Sequence, residues 1–182
     1  AANLAYVMRC LLGAAFNPPE EDVLTEELET NTTRGTSSKQ FVSLAKEYNL
    51  TTERLKTESL KADEVLSVVQ AALQQQRLVV TIIHAYNSSE PGHRDAGHWI
   101  TIVAYDEKAQ VLAFMDSAHG GQLRKMNRDD FVQRWWYRKS DKGKRIEREA
   151  FTVGTPAPVC CSTFPLSSSD LDITSLPLLE NA

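Results

Sequence analysis

The chain is poor in several things, and each shortage removes a class of protein. It has three cysteines in 182 residues, and two of them, Cys160 and Cys161, are neighbours. An odd count with an adjacent pair is a poor basis for a disulfide framework, so a reducing, cytoplasmic setting is expected. No apolar run approaches the ~20 residues that cross a bilayer, and no basic-then-apolar leader opens the sequence. Positive charge is also short: 20 Lys and Arg face 24 Asp and Glu, a formal net charge of -4. That balance argues against nucleic acid or an anionic membrane as partner. The one basic run, Arg138-Lys139 through Lys142, Lys144 and Arg145, is broken by Ser, Asp and Gly, and reads as a solvated loop. An initiator Met is missing and the sequence opens inside a helical pattern, so an excised fragment is expected, with room for further domains at either end. Sequons at Asn31, Asn49 and Asn87 carry little weight in a chain so rich in Ser and Thr.

What is present is enough for one domain with a real core, since 42% of the residues are hydrophobic. Leu4, Val7, Met8, Leu11 and Leu12 recur at helical spacing, and among residues 3–12 only Asn3 and Arg9 are strongly polar, so this helix is expected to be buried on most sides. Gly13 and Asn17-Pro18-Pro19 end it. Residues 20–29 suggest a short acidic helix. Phe41, Leu44, Ala45 and Tyr48 mark an amphipathic helix over 39–48, preceded by a capping Ser or Thr and closed by Asn49. Residues 50–52 begin an edge strand. Val65, Leu66, Val69, Ala72 and Leu73 give another helix over 62–75. The period then changes: residues 77–83 are a β-branched run too dense to be half exposed, hence a central strand. After a polar loop over 87–95 come two strands, 97–103 and 111–117, joined by a turn at 106–108. Residues 122–126 suggest a third strand, 127–136 a helix carrying Phe131, Val132, Trp135 and Trp136, and 146–153 a last strand. Helices first and strands afterwards predict an α+β domain on an antiparallel sheet. From Thr155 the chain turns rich in Pro, Ser and Thr, which divides it into a domain over 1–154 and an arm or linker over 155–182.

Chemistry concentrates in the two paired strands. His98 opens the first and Asp116 closes the second, and paired strands hold two side chains at a set distance. An imidazole that takes a proton and a carboxylate that orients it is one reading of the pair; an ordinary strand-end hydrogen bond is the other. Cys10 lies in the third turn of the first helix, beside Leu11 and Leu12, and reads as a structural thiol. Cys160 and Cys161 sit in a Pro-containing loop and read as free or packing thiols. His93, Asp95, His98, Asp116 and His119 supply zinc-type ligands, yet the first two lie on a Pro/Gly loop with nothing to fix their geometry, so no metal is expected. His84 reads as a rim histidine. Trp99 serves as a shield for His98, as core, or as both, and Trp135-Trp136-Tyr137 reads as core packing.

The wider pattern resembles one family. Gly97-His98-Trp99, an apolar strand, a turn, a strand ending in Asp116-Ser117, a glycine-containing turn and a short helix ending in Arg134-Trp135-Trp136 are similar to the peptidase domain that trims double-glycine leaders in bacteriocin exporters. Its stand-alone relatives belong to the papain-like cysteine peptidase superfamily. Ala1-Ala2-Asn3-Leu4-Ala5 is similar to the part after Cys-Gly in that family's Cys-Gly-x-Ala-Ser-Leu-Ala helix. Residues 35–50 and 77–83 resemble its next helix and a strand, so the resemblance spans roughly residues 1–153. After Asp116 the family usually has Pro; Ser117 stands here.

The resemblance implies a papain-like α+β fold and a cysteine peptidase acting on a peptide or protein, without a cofactor. It implies His98 as base, Asp116 as its orienter, and a nucleophilic Cys at or just before Ala1. That Cys is absent from the chain as given, as is the family's oxyanion glutamine expected further upstream, so this stretch by itself is expected to be inactive. A glutamine deamidase or acyltransferase with the same triad, or an inactive peptide-binding relative, fits the same residues. An exporter-linked or secreted setting fits the resemblance as well as the cytoplasm does.

Overall fold

The computed structural model describes residues 1–12, 16–28, 36–57, 60–84, 97–116, 122–139, 144–156 and 172–177. Their order is α1 (Ala2–Leu12), α2 (Glu21–Glu27), α3 (Ser38–Glu47), β1 (Thr51–Arg54), α4 (Ala62–Gln74), β2 (Leu78–His84), β3 (Gly97–Asp106), β4 (Val111–Asp116), β5 (Gln122–Asn127), α5 (Arg128–Arg134), β6 (Trp136–Lys139), β7 (Lys144–Glu147) and β8 (Ala150–Gly154). A 3-10 turn follows at Ile173–Ser175.

Six strands form one antiparallel sheet in the order β1-β8-β2-β3-β4-β5, and β6 and β7 form a separate hairpin. β2 lies between β8 and β3, and its first six residues are all buried, as its β-branched run predicts. Alternation along the strands divides the core in two. Leu78, Val80 and Ala113 face α1, α2 and α3 through Leu4, Val7, Met8, Leu24, Phe41 and Leu44. Val79, Ile83, Ile100, Ile102 and Phe114 face α4 and α5 through Val65, Val69, Phe131 and Trp135. A bulge between Ile102 and Ala104 shifts the register, so Val103 and Ala104 both turn to the α1 side.

Local chemistry explains where elements begin and end. The Ser37 hydroxyl accepts from the Gln40 N–H while the Gln40 side chain accepts from the Ser37 N–H, a reciprocal cap that starts α3. Asn49, at φ 57, closes it. α5 stops at Arg134, two residues short of the predicted helix. The Trp135 carbonyl accepts from the Arg148 N–H, and its ring packs on Phe131 and donates from Nε1 to the Thr81 hydroxyl. The bonds to Arg148 and Thr81 pull Trp135 out of the helical path. The predicted last strand is two strands, β7 and β8, because Arg148 at φ 53 bends the chain between them. The Thr81 hydroxyl donates to the Glu149 carbonyl at 2.7 Å and holds that bend against β2. The basic run that reads as a loop supplies backbone to the β6–β7 hairpin; residues 140–143 within it lie outside the described residues.

Residues 172–177 return to the sheet. Ile173 is buried in the α1-side core, Leu176 packs against it, and the Lys125 N–H donates to the Pro177 carbonyl at 3.0 Å. No helix among the described residues is long and apolar enough to cross a membrane.

Candidate active site

The site grows from the register of three strands. Ile100 lies opposite Asp116 across β3 and β4, and His98 precedes Ile100 by two residues, so its side chain leaves the same face of the sheet. The diagonal brings His98 Nε2 to 2.7 Å from Asp116 Oδ1. Asp116 is fully buried, whereas the His98 ring keeps 18% of its surface open to solvent. Arg124 lies opposite Phe114 on β5, diagonal to Asp116, and one guanidinium nitrogen stands 3.7 Å from Asp116 Oδ2. A carboxylate this deep needs polar partners, because an unpaired buried charge costs several kcal/mol. Among the described residues, an imidazole stands at one of its oxygens and a guanidinium near the other.

The hydrogen bond also fixes the tautomer logic. An ionised carboxylate only accepts, so Nε2 of a neutral His98 carries the hydrogen and donates it to Asp116. The lone pair is then on Nδ1, the atom available to take a proton. An imidazole more open than the buried carboxylate it bonds to is an arrangement that general-base chemistry can use.

The first turn of α1 is tied to the same end of β3. Asn3 is buried; its Nδ2 donates to the Trp99 carbonyl at 2.9 Å, and its Oδ1 accepts from the Thr101 hydroxyl at 2.9 Å. The Trp99 ring faces the α1 side, stacks on Phe41 with centroids 5.7 Å apart, and donates from Nε1 to the Thr36 carbonyl at 2.9 Å. Trp99 therefore secures the strand beside His98 rather than covering the imidazole.

The other candidates fall apart from this cluster. Cys10 is seven residues past Asn3, about 10 Å further along the helix. Burial pushes its thiol up, against the opposing effect of a hydrogen bond with Tyr6, whose own phenol burial also raises. A thiol held protonated is a poor nucleophile. His84 pairs with Gly97 in the β2–β3 ladder. His93, Asp95, His119, Cys160 and Cys161 lie outside the described residues, and among the described ones no group of three or more His, Cys, Asp or Glu could hold a metal ion. Asn3 and Arg124 carry more of the geometry than the sequence announces. The available signals are a buried-pattern helix with an amide on its core face, and a cation on the inner face of β5.

A model of the Peptidase_C39-like family matches residues 2–142. The chain belongs to that family. Among solved structures, this C39-like domain is similar to the peptidase domain of Streptococcus ComA, a bi-functional ABC transporter involved in quorum sensing, with a TM-score of 0.53 and 15% identity over 84% of this chain and 88% of that one. The peptidase domain of Streptococcus mutans ComA has a TM-score of 0.43 and 17% identity, over 72% and 87%. At such identities the likeness speaks for the fold alone. No curated protein matches the C39-like chain in sequence. Family and fold together make it a papain-like, peptidase-type domain of α+β architecture.

Proposed function

We propose that the chain is the body of a thiol peptidase in which His98 is the base and Asp116 its orienter. The observation that carries the reading is the 2.7 Å bond from His98 Nε2 to a fully buried Asp116, made at the strand end to which α1 is tied. The nucleophile it calls for is a cysteine in the Cys-Gly pattern, immediately ahead of Ala1. A helix N-terminus favours the thiolate through its dipole, and an adjacent imidazolium favours it further.

In this scheme His98 Nδ1 takes the thiol proton and the thiolate attacks a peptide carbonyl. The imidazolium returns the proton to the leaving amine, and a water molecule then releases the acyl group in the reverse sense. Asp116 keeps Nδ1 as the free acceptor and offsets the imidazolium charge; Arg124 offsets the charge of Asp116 when His98 is neutral. Gly97 is exposed and carries no side chain, so the end of β3 is the approach from α1 to the ring.

The test is turnover of a mixed peptide digest by the chain bearing Cys-Gly ahead of Ala1. His98→Ala is expected to abolish it and Asp116→Asn to lower it by about 10²-fold or more. Turnover in both variants unchanged from that of the parent chain refutes the assignment.

A further inference from the structure

We propose that Asn3 is a positioning residue for the nucleophile, acting through its two bonds to β3. The inference rests on the reading of His98 and Asp116 given above. Asn3 is the second residue of α1, and its amide spans two points of β3, the Trp99 carbonyl and the Thr101 hydroxyl. Thr101 is itself fully buried, so this is a dry polar clamp rather than a surface contact. Elsewhere the core face of α1 is apolar: Leu4, Val7, Met8 and Leu11 pack by shape and would tolerate small slides along or around the helix axis. The directional bonds of Asn3 fix both.

The spacing gives the clamp its consequence. On a helical path the residue four positions before Asn3 lies on the same face, one turn and about 6 Å nearer the start. In the Cys-Gly pattern that residue is the cysteine. Moving from the Trp99–Thr101 stretch back to His98 covers one to three residues of strand, about 3 to 10 Å. His98 leaves the face of β3 opposite to α1, so the cysteine meets its ring only around the Gly97 end of the strand, and losing the clamp changes where the thiol stands at that end without touching His98, Asp116 or the thiol itself.

The experiment uses the full chain with Cys-Gly placed ahead of Ala1. Alkylation of that cysteine by iodoacetamide at about pH 6, located by peptide mass spectrometry, is compared with the same reaction in the His98→Ala background. A thiol paired with His98 is expected to react roughly tenfold faster than its His98→Ala counterpart. Asn3→Ala and Thr101→Val are each expected to erase most of that advantage in a chain that still melts cooperatively. Thr101→Ser, which keeps the hydroxyl, is expected to retain it, and the double variant to be no worse than either single one, because the two residues act as one unit. Thr101→Val is nearly isosteric and covers the case in which Asn3→Ala fails to fold. An advantage that survives in folded Thr101→Val overturns the inference and leaves the peptidase reading standing. No dependence on His98 in the parent chain overturns both.

Discussion

Replacing Arg124 by Met tests whether Asp116 is charged and held as the geometry implies. At 3.7 Å and an effective dielectric of 20, the Coulomb attraction between the two groups is about 4.5 kcal/mol. Desolvation of the guanidinium, which keeps 14% of its side-chain surface exposed, opposes part of that. Met keeps the length and apolar volume of the stem, and His98 still donates to Asp116. The net loss should therefore fall below the 3–5 kcal/mol typical of a fully buried broken pair, at about 2 kcal/mol. For a chain of this size that corresponds to a melting temperature lower by roughly 4–8 °C. Urea denaturation should show the same loss with an unchanged slope. The decisive arm is the cycle with Asp116→Asn. If the buried charge is the reason for the loss, removing it should make Arg124→Met nearly neutral, leaving a coupling energy of about 1–2 kcal/mol. Additive effects of the two substitutions would refute the pairing, as would an Arg124→Met chain as stable as the parent.

Trp99→Phe keeps the stacking on Phe41 but loses the bond to the Thr36 carbonyl, and is expected to cost about 1 kcal/mol by urea denaturation. Trp135→Ala empties a fully buried site against Phe131 and Thr81 and should cost about 3–5 kcal/mol in the same assay. Ser37→Ala removes the α3 cap, with an expected loss of about 1 kcal/mol. Because burial raises the Cys10 thiol, folding favours its protonated form; this stability is whole below the ordinary thiol value of 9.0 and declines as the pH rises beyond it. Stability measured across that range should fall, and Cys10 in the folded chain should alkylate more slowly than in urea.

Much of the fold is legible in the sequence, because apolar period and secondary structure agree. α1, α3, α4 and β2 follow from Leu4-Val7-Leu11, Phe41-Leu44-Ala45, Val65-Leu66-Val69 and the β-branched run of 78–83. The His98–Asp116 pair is legible as a pairing, since two strands and a short turn fix its register. Other features depend on partners far along the chain. Nothing near Trp135 announces that Arg148 and Thr81 will hold it outside the helix, and the charged flanks of the β6–β7 hairpin look like loop. The amide of Asn3 meets Thr101 ninety-eight positions away, and Arg124 meets Asp116 only once β5 takes its register. A polar residue on an apolar face signals that a partner exists without saying which.

That the His98–Asp116 pair serves a thiol cleaving peptide bonds is tested most directly by mass spectrometry. A peptide digest is incubated with the chain carrying Cys-Gly ahead of Ala1, beside its His98→Ala variant. Paired fragments whose masses sum to the parent peptide plus one water are expected, formed only when His98 is present. Intact peptides, or peptides heavier by about one dalton from glutamine deamidation, would contradict it.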